Sequence, residues 1–185
     1  MLNRLPHSVP VLDELHPILV ELSDLQGCAK VFQAAFEHYA STFPSGRGVD
    51  PISGADVPGG GFGLMHVLIL ADLYNTLGEH VKAAETIRKG CRWLQGRATQ
   101  KFWDACEDDR EWDVPDGGAV RGGEGELPPG MYPLDVNARH RLAIARIKSG
   151  DIEEGKVGHI LLLNSTHLNL RITDACQSYS VSRSR

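Results

Sequence analysis

Apolar side chains recur at three- and four-residue spacing in three stretches, roughly Val11 to Tyr39, Gly63 to Leu94 and Val136 to Leu163, and this period predicts helices. Between them, Pro44 to Gly61 and Pro115 to Gly130 hold so much Gly and Pro that a regular helix is costly. Both are expected to be flexible, disordered insertions. The tail after Asn164 ends in Ser-Arg-Ser-Arg and has no clear period. The pattern divides the chain into a first helical hairpin (1–43), an insertion (44–62), a second hairpin (63–97), an acidic Trp-bearing segment with a second insertion (98–135), a degenerate third hairpin (136–163) and a tail expected to be disordered (164–185).

The three helical stretches repeat one another. Anchored on Gly78-Glu79, the second places Val67, Leu70, Ala71 and Tyr74 on one face of a first helix, with Ala83, Ile87 and Gly90 on the facing side of a second. Ala83 and Gly90 are two helical turns apart, so both point at the first helix and let the backbones approach. The same offsets from Ser23-Asp24 select Leu12, Leu15 and Leu19, then Cys28, Phe32 and Ala35. Pro17 falls inside that first helix and is expected to shorten or kink it. From Gly150-Asp151 they select Leu142 and Ala143, then Gly155, after which His159 and Leu162 break the rule. Large residues on one helix and small ones where two helices touch are the signature of tetratricopeptide hairpins of roughly 34 residues. The expected fold is therefore all-α, a partial and interrupted solenoid. Because the anchors lie further apart than one repeat, the pattern does not require neighbouring hairpins to stack.

Composition narrows the function. The net charge of −5, with Lys and Arg dispersed, offers no basic stripe for a phosphate backbone, so direct nucleic-acid binding by this chain alone is not expected. The longest apolar run, Ile160 to Leu163, is too short to span a membrane. Cys28, Cys91, Cys106 and Cys176 show no metal-ligand spacing and read as reduced thiols. The eight histidines are scattered, and no HExxH or GxSxG motif is present. Gly59 to Gly63 precedes a helix but lacks GK[ST], which favours a hinge over a phosphate cradle. No catalytic residue, metal ligand, cofactor or small-molecule substrate is expected.

Two sets of residues are candidates for binding protein. In a stacked array the inner face of the second hairpin's first helix would carry Met65, Leu68, Asp72, Asn75 and Thr76, the apolar ones alternatively packing on the first hairpin. The second set mixes Trp103 and Trp112 with Asp108, Asp109, Glu111 and Asp113. No Gly-containing turn separates these acids as in a calcium loop, so they read as a solvated face or an interaction surface. Together with Trp93, the tryptophans either fold back on the second hairpin or await a partner.

Several runs are more specific than the repeat: LADLYNTLG (Leu70 to Gly78), Ala83-Ala84, GCRWLQGR (Gly90 to Arg97), Phe102-Trp103-Asp104, DDREWD (Asp108 to Asp113), Tyr132-Pro133-Leu134 and ARHRLAIARIKSGD (Ala138 to Asp151). In this order they resemble the fungal tetratricopeptide-repeat subunit of RNA polymerase III transcription factor IIIC. The resemblance runs from about Gly63 to Gly155 and departs after Lys156; the family subunit is much longer, so the chain reads as a fragment of it. It implies a nuclear scaffold whose partners are other factor IIIC subunits and the initiation factor IIIB, which it helps to recruit. The alternative within repeat proteins is an adaptor such as a chaperone cofactor. That use needs Lys or Arg beside Asn75 on the inner positions, and the first two hairpins lack them there.

Overall fold

The computed structural model describes residues 7–49, 54–112 and 132–158. Helices α1 (Val9–Glu21), α2 (Leu25–Thr42), α3 (Leu64–Thr76), α4 (His80–Leu94) and α5 (Val136–Ser149) follow one another. Residues 152–158 are helical again and are called α6. Among the described residues the fold is all-α apart from one short ribbon. Each of the first four helices packs on its successor, and α3 also reaches α5. The hairpins therefore stack directly, in spite of the sequence inserted between them.

One turn joins the two helices of all three hairpins. Ser23, Gly78 and Gly150 all take positive φ, at 59°, 82° and 95°. After each, a backbone N–H reaches back five residues: Asp24 to Leu19 O at 2.9 Å, Glu79 to Tyr74 O at 2.8 Å and Asp151 to Arg146 O at 3.0 Å. This bond satisfies a carbonyl that the helix end would otherwise leave bare. A left-handed residue is needed there, which glycine supplies without strain and Ser23 supplies at some cost. The Asp24 side chain accepts the Gly27 N–H at 2.9 Å, so the residue after the turn caps the next helix.

Leu12, Cys28, Phe32, Ala35, Leu70, Tyr74, Ala83, Ile87 and Leu142 are all buried, while Leu15 and Leu19 are partly so. Gly90 shows why small residues stand at the crossings: a Cβ there would lie 2.5 Å from Val67 Cγ1. At the equivalent of Ala83, a Cβ on Gly155 would meet Ile147 Cγ1 at 2.5 Å. The third hairpin is thus built like the others as far as residue 158, and His159 to Leu163 lie outside the described residues. Pro17 does not shorten α1, which runs through it from Val9 to Glu21. The carbonyl that proline leaves unpaired belongs to Asp13, which is exposed, so water can take it.

The insertion at 44–62 corrects the expectation of a flexible linker. Its described parts form β1 (Arg47–Val49) and β2 (Asp56–Pro58), antiparallel with Gly48 opposite Val57 and closed by an Arg47–Asp56 ion pair at 3.1 Å. A glycine run reads as freedom in sequence, yet here it permits close approach. Gly60, at φ 65°, lies flat against the Phe43 ring, which any Cβ would strike. The ribbon leads into Phe62, which stacks with Phe36 and Tyr39, and Phe36 in turn meets Trp93 of α4 edge-on. The Trp93 Nε1–H donates to Phe43 O at 2.7 Å. The insertion thus helps to close the joint between the first two hairpins. The second insertion, Pro115 to Gly130, and the tail 164–185 lie outside the described residues.

Candidate functional site

Beyond α4 the chain makes the same kind of turn at Gly96, φ 73°, but no helix follows. Residues 97–112 instead lie as a strap across α4 and α5, with 3-10 turns at Lys101–Asp104 and Arg110–Trp112. Arg88 and Arg92, one turn apart on α4, hold its near side. Arg88 Nη2 donates to Trp103 O and Cys106 O, both at 2.8 Å, and Arg92 pairs with Asp104 at 2.6 Å. Glu111 has no exposed surface; Arg92 Nε stands 3.4 Å from it, Arg97 Nη1 3.4 Å and Arg88 Nε 3.8 Å. Burial pushes its carboxyl above the ordinary glutamate range, against the pull of Arg92, Arg97 and Arg88. The Arg97 guanidinium lies over the Tyr132 ring at 3.6 Å and beside Trp112 at 5.0 Å.

The far side is held by the third hairpin. Arg146 of α5 grips Asp109 with two bonds, at 2.8 and 3.0 Å, and Arg139 donates to Trp112 O at 2.5 Å. Burial pulls the Arg146 guanidinium down, but its bond to Asp109 and the charges of Asp109, Asp151 and Glu154 hold it above its ordinary value. The backbone N–H of Asp109 donates to Glu154 of α6 at 2.9 Å.

These contacts correct the reading of the acidic segment as a docking surface. Trp103 and Trp112 are each 1% exposed, and Trp93 is 2% exposed. Asp109 and Glu111 are buried among arginines, and Asp108, half-buried, pairs with Arg110 at 3.3 Å. Asp113 lies outside the described residues. Asp109 and Glu111 looked free because their arginines stand 14 to 37 residues away in sequence, at 88, 92, 97 and 146. A signal was nonetheless present: Arg88 and Arg92 recur at i, i+4 on a helix whose other face is apolar.

The inner-face candidates on α3 divide. Leu68 is buried and packs inside. Met65 is 62% exposed, Thr76 is exposed, and Asp72 is half-open while accepting a bond from Arg141 of α5 at 2.7 Å. Asn75 Oδ1 meets His80 Nδ1 at 3.1 Å. Met65, Asp72 and Thr76 succeed one another at seven and four residues, so they form one stripe along the helix. Sequence reasoning missed a neighbouring link, His66, which ties α3 to Asp13 of α1 at 3.1 Å and accepts the Gly63 N–H at 3.1 Å. A cleft of about 520 Å³ opens between α4, the strap and the end of α5, lined among others by Val81, Arg88, Asp104, Glu107, Arg146 and Asp151. Among the described residues no group of three or more His, Cys, Asp or Glu side chains is placed to hold a metal ion.

Comparison with known proteins adds the family likeness. No family model matches the chain. Over 166 residues it is 26% identical to the transcription factor tau subunit sfc4 of Schizosaccharomyces pombe. The chain resembles a subunit of transcription factor IIIC. The match covers 89% of this chain, so it takes in sequence on both sides of the motifs between Gly63 and Gly155, including part of the stretch beyond Lys156. The chain spans 16% of the length of that relative.

Proposed function

We propose that this chain is a tetratricopeptide-repeat scaffold of a factor IIIC type transcription complex, acting in the nucleus by binding proteins and carrying no catalytic activity of its own. The observation that carries the reading is the similarity to the tau subunit over most of the chain. The threefold turn and the small residues at the helix crossings support its tetratricopeptide character. The open stripe Met65, Asp72 and Thr76, with Asn75 beside it, is the binding surface, and its partners are other factor IIIC subunits and the initiation factor IIIB. Contact with promoter DNA falls to those partners, because this chain brings a net charge of −5.

The test is to express the tagged full chain in fungal cells and identify what co-purifies from nuclei in stoichiometric amount. Factor IIIC subunits, with initiation factor IIIB in lower yield, are the expected partners. Recovery of chaperones through their carboxyl termini, with no factor IIIC subunit, would replace this reading by the adaptor one.

A further inference from the structure

Repeat stacks take their curvature from the small rotation between neighbouring units, so whatever fixes one joint shapes the binding surface. The two joints in this chain are closed differently. The first is filled by rings, with Phe36, Phe62 and Trp93 packed together. The second packs Ala138, Leu142 and Ala145 of α5 into the apolar core and is crossed by charge as well. Asp109 of the strap holds Arg146 of α5 at 2.8 Å, stands 3.4 Å from Arg88 Nε of α4, and through its N–H meets Glu154 of α6 at 2.9 Å. One residue thus touches both hairpins and both helices of the third.

We propose that residues 97–112 are a latch that fixes the angle between the second and third hairpins, with Asp109 as its pin. The strap has an anchor on each side of the joint. On α4 it hangs from Arg88 and Arg92, whose bonds to Trp103 O, Cys106 O and Asp104 do not involve α5. On α5 it hangs from Arg146 and Arg139. Without the Asp109 charge, Arg88 and Arg146 would lose the carboxylate they share across the joint, leaving Arg88 with Glu111 at 3.8 Å and Arg146 with Asp151 at 3.3 Å, neither of which bridges the two. Removing one member of a buried ion cluster leaves the rest uncompensated, and the strain then falls on the contact that carried it. Release should therefore free the third hairpin while the first two keep their apolar packing. The inference goes beyond the proposed function and holds whichever partner the scaffold serves.

Hydrogen exchange on the full chain tests it, comparing wild type with D109N, R146Q and the double variant. The latch predicts that D109N speeds exchange in α5 and α6 at least tenfold and leaves the interiors of α3 and α4 unchanged. It also predicts that the double variant is no faster than the quicker single one, because both remove one link. Unchanged exchange in α5, equal acceleration in every helix, or additive effects of the two substitutions would each overturn it. Should D109N fail to fold, E154Q at the partly open edge of the network takes its place, with exchange in α6 expected to rise at least threefold. Protection of α6 equal to wild type in E154Q would then reject the latch.

Discussion

Gly90 carries the tightest crossing of the second hairpin, because a Cβ there would stand 2.5 Å from one Val67 methyl and 2.9 Å from the other. Gly90→Leu, or Ala83→Leu seven residues earlier, should lower stability by about 1–3 kcal/mol through overpacking. Thermal melting checks this, and melting temperatures equal to wild type would contradict the packing of α3 on α4. The thiols give a second test at this scale. Burial pushes the Cys91 thiol up to about 12, helped by the nearby negative charge of Asp135 and Glu111, whereas Cys106 is partly open. At pH 8 Cys91 therefore stays a protonated, covered thiol, and the thiolate is the reactive form. Iodoacetamide followed by peptide mapping should label Cys106 at least tenfold faster than Cys28 or Cys91. Equal labelling of Cys91 in the folded chain would show that α4 is not seated as described.

At the scale of elements, the helices were legible wherever periodicity and turn chemistry agreed. Gly78 and Gly150 announced their turns, and Leu70, Tyr74 and Ile87 announced the face that each helix buries. Pro17 misled as to the length of α1, because its cost falls on a carbonyl that water reaches. The ribbon at 47–58 and the turn after it were not legible, since Gly48 and Gly60 serve close approach to Phe43 and Gly59 to Trp93, and nothing local says which ring a glycine will meet. The strap failed to show for a related reason. Charge pattern reveals the sign of a segment but not the distant arginine that neutralises it. Trp93, Trp103 and Trp112 are the three tryptophans of the chain, so its emission reports on the strap directly. Because all three are buried, emission should be blue-shifted and resist iodide quenching before any partner is added. A red-shifted, readily quenched spectrum would restore the docking reading of this segment. Trp112→Ala should cost about 3–5 kcal/mol as a large-to-small change in the interior, read from denaturant unfolding.

For the whole molecule, the sequence pattern left open whether hairpins so far apart would stack, and the answer comes from the inserted segments themselves. The aromatic joint uses the first insertion, and the ionic joint uses the strap, so the sequence between repeats helps to hold the repeats together. Fewer of the candidate residues are consequently left open than the sequence suggested, and the proposed function assigns partner binding to the α3 stripe of Met65, Asp72 and Thr76. With a net charge of −5 the chain should show no measurable shift of duplex DNA at physiological salt. Tight binding that weakens steeply with salt would reveal a basic face. The most direct test of the scaffold role measures binding of purified factor IIIC subunits to the full chain and to a Met65→Ala, Asp72→Asn, Thr76→Ala variant, with melting followed in parallel. A scaffold that binds through this stripe predicts at least tenfold weaker binding by the variant, with its helical signal and melting temperature within a few degrees of wild type. Undiminished binding by a well-folded variant would contradict it.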